Sequence, residues 1–141
     1  MTYDPVAEGW RPMPKAALPG GQGTPWSRRI DDAWCYGLQT TDDHANPQGA
    51  LHGGVMMTLA DHGLSILAWD AAERAPCTTI QLNTQFLAAV RPGEFIWVAG
   101  EVVRRTGSLV FMRGIIRAPE GATASRDVCA ADGIWRILRR A

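Results

Sequence analysis

Apolar residues between positions 55 and 69 recur with a period of about 3.6, and no proline interrupts them, which predicts an α-helix. The preceding stretch, 46–54, is rich in glycine and proline and predicts a loop that leads into the helix. At about 100° per residue, the apolar side chains cover roughly 220°, so we expect the helix to be almost surrounded by protein. The remaining side carries four polar residues: Thr58, Asp61, His62 and Ser65.

The polar side of this helix differs from a surface that faces water. It contains no Lys, Arg or Glu, and Asp61 is its only formal charge. Small groups around a single carboxylate indicate contact with another protein surface. At the helix start, Gly53 and Gly54 leave backbone N–H groups uncovered, where unpaired donors and the positive end of the helix dipole favour negative charge. Such a helix end can act as an oxyanion hole.

Runs rich in β-branched and aromatic residues, separated by turn residues, predict strands on both sides of the helix. One strand is expected at 33–41, before the helix. Four more are expected after it, at 78–89, 95–105, 109–118 and 127–138. Strands and helices do not alternate, so the sheet should be antiparallel. We therefore expect an α+β domain, 34–141, in which a curved antiparallel sheet of about five or six strands wraps around one long central helix.

The first 33 residues differ in composition from the rest of the chain. They contain five of the nine prolines and several glycines, which predicts an irregular arm, 1–33, without a long helix or a central strand. Trp10 and Trp26 are costly to leave in water, so at least one of them should hold the arm against the domain. Because residues 1–25 show no periodic apolar pattern, we expect their deletion to leave the domain folded.

The overall composition argues against several classes of protein. With 141 residues and 46% hydrophobic content, the chain is expected to form one domain with a substantial core. A formal net charge of zero argues against a nucleic acid partner. No stretch approaches the roughly 18 uninterrupted apolar residues of a membrane span, and the N-terminus lacks a basic start followed by an apolar run. We therefore expect a cytoplasmic protein that is not bound to a membrane.

The cysteine and histidine residues do not predict a metal site. The three cysteines are Cys35, Cys77 and Cys129. They are odd in number, far apart and without C-x-x-C spacing, which favours reduced thiols in the cytoplasm. No two of His44, His52 and His62 are four residues apart, the spacing that places two imidazoles on one helix face. We therefore expect no metal.

Three short segments carry the candidate chemistry. The first reads Asn46-x2-Gly49-x2-His52-Gly53-Gly54-x6-Asp61. The other two are the strand Thr78-Thr79-Ile80-Gln81-Leu82-Asn83 and the turn Arg91-Pro92-Gly93-Glu94. Together they resemble the hotdog-fold acyl-CoA thioesterases, in the branch that includes the phenylacetate-pathway thioesterases and mammalian thioesterase superfamily member 2. A His-Gly-Gly alone carries little weight, but the Asn, His-Gly-Gly and Asp set before a one-helix, four-strand tail is more specific.

The resemblance implies a role for each motif residue. Asp61 would be the nucleophile or the general base that activates water, and the Gly53 N–H would hold the thioester oxygen. Asn46 would orient substrate or water, and His52 would shape the turn and polarise the carbonyl indirectly. Thr79 stands where relatives carry a serine that positions the water, so the hydroxyl is retained and a methyl group is added.

Further residues are candidates for contact with the substrate. Gly54 is the second glycine of the motif at the helix start, and Ser65 lies one turn beyond the motif carboxylate. Arg91, Arg104 and Arg105 lie beside hairpin turns in the more basic half of the chain, where guanidinium groups suit the phosphates of coenzyme A. Taken singly, each arginine is also explained by a salt bridge or by solvation.

The combined pattern, together with the resemblance, predicts an acyl-CoA thioesterase that hydrolyses a coenzyme A thioester to a carboxylic acid and free thiol, without a metal or prosthetic group. Taken singly, Asp61 and Thr79 are also explained as a helix-surface carboxylate and a strand former, and the Gly-Gly pair as a turn. Two alternatives stay open. One is a non-catalytic acyl-CoA sensor, which has no need of a carboxylate aimed at a thioester. The other is a hotdog hydratase or dehydratase, which needs an acid/base pair at a β-hydroxyacyl carbon.

The spacing of Gly53 and Asp61 predicts a site shared between subunits. Eight residues of helix rise about 12 Å, whereas both groups must lie within about 3 Å of one carbonyl. We therefore expect a homodimer in which Asp61 of one chain faces Asn46 and Gly53 of the other. The resemblance implies the same arrangement within a homotetramer of two such dimers.

Overall fold

The computed structural model describes residues 2–139. These residues form one long helix, seven strands and two short 3₁₀ helices. The strands are β1 Arg11–Pro12, β2 Trp26–Ile30, β3 Ala33–Gln39, β4 Cys77–Phe86, β5 Phe95–Arg105, β6 Leu109–Glu120 and β7 Ala124–Ile137. The long helix, α1, is Gly53–Ala71, and the 3₁₀ helices are Pro19–Gly21 and Asp42–His44.

All the strands belong to one antiparallel sheet in the order β1-β2-β3-β5-β6-β7-β4. β4 follows α1 in the chain but lies at the far edge of the sheet, beside β7. The helix therefore crosses one face of the sheet between β3 and β4. Within residues 2–139, the outer edge of β4 has no neighbouring strand.

Helix α1 packs closely against the sheet because small residues lie at the contact. A Cβ atom at Gly63 would overlap Val98, and one at Gly100 or Gly114 would overlap the side chain of Leu64. The predicted helix is confirmed, and most of its apolar arc is buried, although Met57 is 36% exposed. None of the helices within residues 2–139 has the length and apolar character required to cross a membrane.

All five strands predicted from the sequence are present, and β5 has the predicted bounds. β6 continues past the predicted end at position 118, and Pro119 is in register with Ser125. Pro119 lies one residue before the strand end, where its missing N–H removes little from the hydrogen-bonded ladder.

The arm is not wholly irregular, which corrects the expectation for residues 1–33. β2 pairs with β3 along its whole length, and the two strands are joined by Asp31 and Asp32, both with positive φ. A two-residue turn with two positive φ angles matches the twist of a hairpin. The short run Trp26–Ile30 is itself compatible with a strand. The prolines before position 26 obscured this pattern in the sequence.

The arm also completes the hydrophobic core. Trp10 is fully buried against Phe95 and Trp97, and its indole Nε1–H donates a hydrogen bond of 2.9 Å to the hydroxyl of Tyr3. Leu18 is only 2% exposed within the main core. The expectation that a tryptophan holds the arm in place is confirmed. The expectation that residues 1–25 make few core contacts is wrong, so their deletion should destabilise the domain.

Candidate active site

Asn46 organises the loop that precedes α1. Its side-chain Oδ1 accepts hydrogen bonds from the backbone N–H groups of Gln48 and Ala50, both at 3.0 Å. Its own N–H donates to the carbonyl of Ala50 at 2.7 Å. The carboxamide oxygen is therefore used inside the loop, which leaves the carboxamide nitrogen for contact with substrate or water.

His52 caps the start of α1. Its Nδ1 accepts a hydrogen bond of 2.8 Å from the Gly54 N–H, so Nδ1 is unprotonated and the neutral ring carries its proton on Nε2. The Gly54 N–H is thereby satisfied and is not the second free donor expected at the helix start. The Gly53 N–H has no hydrogen-bond acceptor within residues 2–139, which leaves one bare donor at the positive end of the helix.

The ring of Phe86, at the end of β4, lies against Gly53. A Cβ atom at Gly53 would lie 2.9 Å from Cζ of Phe86, so the absence of a side chain allows the ring to approach the helix start. Phe86 is 51% exposed. No sequence motif points to Phe86, because its contact with Gly53 joins the end of a strand to a helix start 33 positions earlier.

Asp61 and Thr79 meet on the same side of α1. The Thr79 hydroxyl donates a hydrogen bond of 2.6 Å to Oδ1 of Asp61. Both residues are half-buried. The strand register shifts between Thr79 and Gln81, so Ile80 is a bulge residue and its side chain is 55% exposed. The bulge thus lies next to the residue that contacts the carboxylate, where bulges commonly re-aim a side chain.

Ser65 lies one turn beyond Asp61 and has a structural contact. Its Oγ accepts a hydrogen bond of 2.8 Å from the Nε1–H of the fully buried Trp135. The serine therefore satisfies a buried indole donor, and its own hydroxyl proton remains available to a ligand.

A cavity of about 610 Å³ opens beside this part of the helix. Its walls are formed by Met13, Pro19, Thr58, Asp61, His62, Ser65, Ile66 and Trp69. His62 and Asp61 are neighbours on α1, and both line this cavity. Nε2 of His62 is buried and has no hydrogen-bond partner within residues 2–139. Burial lowers the pKa of His62, and the nearby Asp61 carboxylate opposes this effect only in part. The lowered pKa favours the neutral ring at neutral pH.

The structure does not bring all the predicted residues together within one chain. Gly53 and Asp61 both lie in α1, about 12 Å apart along its axis at 1.5 Å per residue. Asn46 and His52 lie with Gly53 at the helix start, whereas Thr79 lies with Asp61. One chain therefore contributes two separate half-sites, one at the start of α1 with Gly53 and one further along α1 with Asp61.

The arginines predicted to bind phosphate lie at opposite ends of β5. Arg91 lies just before β5, next to Val90. The Val90 carbonyl accepts a hydrogen bond from the Leu51 N–H, which places Arg91 near the start of α1. Arg104 and Arg105 end the eleven-residue strand, about 33 Å away at 3.3 Å per residue. Arg105 contacts Glu73 at 3.4 Å, just after α1. The three side chains of one chain therefore cannot bind the same nucleotide.

A larger cavity, of about 820 Å³, lies over the sheet face opposite α1. Arg113 and Glu101 line this cavity and form an ion pair, with 2.6 Å between Nε and Oε1. None of the predicted site residues lines it. Between residues 2 and 139, no group of three His, Cys, Asp or Glu side chains could hold a metal ion.

Comparison with known proteins identifies the family. Residues 48–125 match the model of the thioesterase superfamily. Human acyl-coenzyme A thioesterase 13 is 31% identical over 75 residues, which cover 52% of this chain. The match spans about half of the human protein, 53% of its length.

Solved structures show the same fold at low identity. Zebrafish thioesterase superfamily member 2 has a TM-score of 0.67 at 18% identity, covering 97% of this chain and 87% of that one. A Streptococcus pneumoniae thioesterase with coenzyme A has a TM-score of 0.66 at 20% identity, covering 81% and 85%. The hexameric thioesterase from Yersinia pestis has a TM-score of 0.67 at 16% identity, covering 73% and 84%. The expected hotdog fold is confirmed, and the chain belongs to the thioesterase superfamily.

Proposed function

We propose that the protein is an acyl-CoA thioesterase, which hydrolyses a coenzyme A thioester to a carboxylic acid and free coenzyme A. Membership of the thioesterase superfamily supports the reaction class. The name of the human relative and the coenzyme A in the Streptococcus pneumoniae structure support the substrate class. The observation that carries the proposal is the hydrogen bond of 2.6 Å between Thr79 and Asp61, because it orients a carboxylate that lines a cavity.

The Asp61 carboxylate can act in either of two ways. As a nucleophile it attacks the thioester carbonyl carbon, the thiolate leaves, and water hydrolyses the resulting anhydride. As a general base it takes a proton from water, whose oxygen attacks the carbonyl carbon before the thiolate leaves. In both routes the Thr79 hydroxyl holds Oδ1 of Asp61, and the other carboxylate oxygen faces the reaction. Neither route needs a metal or prosthetic group.

The negative charge that develops on the carbonyl oxygen needs a donor, and the Gly53 N–H is suited to this role. Because Gly53 and Asp61 of one chain are about 12 Å apart along α1, the donor is supplied by a second subunit. Asn46 and His52 lie beside that donor and complete the same half-site through the carboxamide nitrogen and the helix cap.

The free edge of β4 offers a route to this dimer. If β4 pairs antiparallel with its own copy, the start of one strand lies beside the end of the other. Thr79, near the start, then approaches Phe86 of the partner subunit, and Phe86 covers Gly53 within its own chain. Ile80, Phe86 and Leu87, all more than half exposed, would be covered in part by the contact. Two such dimers would form the proposed homotetramer.

One alternative has a specific observation in its favour. A hydratase or dehydratase needs an acid/base pair, and His62 lies with Asp61 in the cavity with a ring nitrogen unpaired. His44 does not provide such a group, because its Nδ1 accepts from the Thr41 N–H and its Nε2 contacts the Gln22 carbonyl. A non-catalytic acyl-CoA sensor remains the rival from another class, although it leaves the Thr79–Asp61 pair without a purpose.

Release of free thiol from a panel of acyl-CoA esters tests the proposal. Wild-type protein should release thiol, and Asp61→Ala should lower kcat by about a hundredfold or more while retaining the wild-type melting temperature within a few degrees. Hydration of enoyl-CoA esters should be absent. A folded Asp61→Ala variant with near-normal kcat would contradict the role of Asp61, and a wild-type protein that binds acyl-CoA without turnover would support the sensor.

A further inference from the structure

The cavity beside Asp61 has walls from two separate parts of the chain. Six of the residues that line it belong to α1, whereas Met13 and Pro19 come from the N-terminal arm. This part of the arm is fixed in place, since the Met13 N–H donates to the Pro25 carbonyl at 2.9 Å and the Leu18 N–H donates to the Gly23 carbonyl at 2.8 Å. The arm is therefore a built wall of the cavity.

The chemistry of the lining restricts what can occupy the cavity. Asp61 is the only formally charged residue among those that line it, and no Lys or Arg belongs to the set. Met13, Pro19, Ile66 and Trp69 provide apolar surface. An anionic group placed here would be repelled by the carboxylate and would find no cation. The cavity thus suits an uncharged, mainly apolar group.

The lining residues on α1 give the cavity a scale of length. Asp61 and Trp69 are eight residues apart on α1, about 12 Å along the axis. Because Met13 and Pro19 line the same cavity, a group that extends from Asp61 toward Trp69 lies against the arm. Met13, which is partly buried against the main core, borders this path with a long and flexible side chain.

We propose that this cavity is the acyl pocket of the thioesterase and that Met13 is a specificity-determining residue that limits the length of the acyl group. The inference rests on the proposed function. The preferred substrates are then uncharged acyl-CoA esters with short to medium-length or aromatic acyl groups, ahead of long-chain esters and of esters whose acyl group ends in a carboxylate.

The test compares kcat/KM across acetyl-, butyryl-, hexanoyl-, decanoyl-, palmitoyl-, phenylacetyl- and succinyl-CoA. Wild type should act at least about tenfold better on butyryl- or phenylacetyl-CoA than on palmitoyl- or succinyl-CoA. Met13→Ala should raise the ratio of decanoyl to butyryl activity about tenfold, and Met13→Phe should lower it. Lys15→Ala is the matched control, because Lys15 lies in the same arm segment but is exposed and does not line the cavity. Its profile should equal that of wild type.

Binding of non-hydrolysable S-alkyl-CoA thioethers, measured by calorimetry, separates this inference from the proposed function. A protein that hydrolyses no ester would contradict the proposed function, yet a thioether length preference that shifts with Met13 would still support the pocket. Circular dichroism must first show that both Met13 variants are folded. The inference is wrong if both variants then keep the wild-type preference for acyl length in hydrolysis. If the protein hydrolyses no ester, the same comparison is made with thioether binding. The inference is equally wrong if wild type prefers palmitoyl- or succinyl-CoA.

Discussion

The hydroxyl of Thr79, on the edge strand β4, donates a hydrogen bond of 2.6 Å to Oδ1 of Asp61 on helix α1. The two residues are 18 positions apart in the chain, and the bond fixes one oxygen of the carboxylate. A hydrogen bond to a charged group contributes about 1.5–3 kcal/mol. Loss of this bond should therefore leave the carboxylate less well oriented and lower the rate of turnover measurably.

Substitutions at Thr79 should therefore follow the hydroxyl group. Thr79→Ser should keep kcat within about twofold of wild type, whereas Thr79→Val, which keeps the shape, should lower kcat about tenfold or more. Steady-state thiol release from one good substrate is the measurement. If Thr79→Val matched Thr79→Ser in a correctly folded protein, the hydrogen bond would have no role in turnover.

The Gly53 N–H can be removed with little change in backbone. Proline is tolerated at the first helical position, and His52 already has φ −65° and ψ 131°, the conformation that a following proline requires. Gly53→Pro should lower kcat about a hundredfold through loss of an oxyanion donor. Gly53→Ala introduces a similar contact with Phe86 but keeps the N–H, so it is the matched control and should retain most of the kcat that proline removes.

The buried arm makes a prediction about stability. Trp10→Ala should lower the free energy of unfolding by about 3–5 kcal/mol, because it removes a fully buried indole. Trp34→Ala is the control: Trp34 is 44% exposed and stacks under Arg29, a contact that contributes about 1 kcal/mol or less. Urea unfolding measures both. Equal effects of the two substitutions would show that the arm is not part of the core.

The contrast between Trp10 and helix α1 shows which features could be predicted from the sequence. The helix has a continuous periodic pattern, and the strands after it are runs of β-branched and aromatic residues between turn residues, so local sequence was sufficient. The strand Trp26–Ile30 pairs with its neighbour through a short turn, but the prolines before it concealed the pattern. The burial of Trp10 depends on Phe95 and Trp97, which are distant in the chain.

Asp61 and Thr79 could be named as candidates because each lies in a motif, and the structure places them in contact. Phe86 and Met13 belong to no motif, and only the fold brings Phe86 to Gly53 and Met13 to the cavity. His62 lies next to Asp61 in the sequence, but the burial of its Nε2 depends on the fold.

Burial of His62 predicts a pH dependence of stability. Its pKa in the folded protein is lowered, so the unfolded chain binds the proton more readily, and the folded state loses stability as pH falls below the ordinary value of 6.5. Between about pH 7.5 and about pH 5, wild type should therefore lose more stability than His62→Gln. Urea unfolding at both pH values gives the comparison. A larger loss in His62→Gln would contradict the buried neutral ring.

The central claim is that Asp61 of one subunit and Gly53 of its partner act on the same thioester. The most direct measurement is thiol release after Asp61→Ala and Gly53→Pro subunits, each inactive alone, are unfolded and refolded together. Random reassortment makes half of the dimers hybrid, and each hybrid has one intact site, so activity should recover to roughly a quarter of refolded wild type. If mass spectrometry shows that hybrids form and activity stays at the parental level, the shared site is wrong.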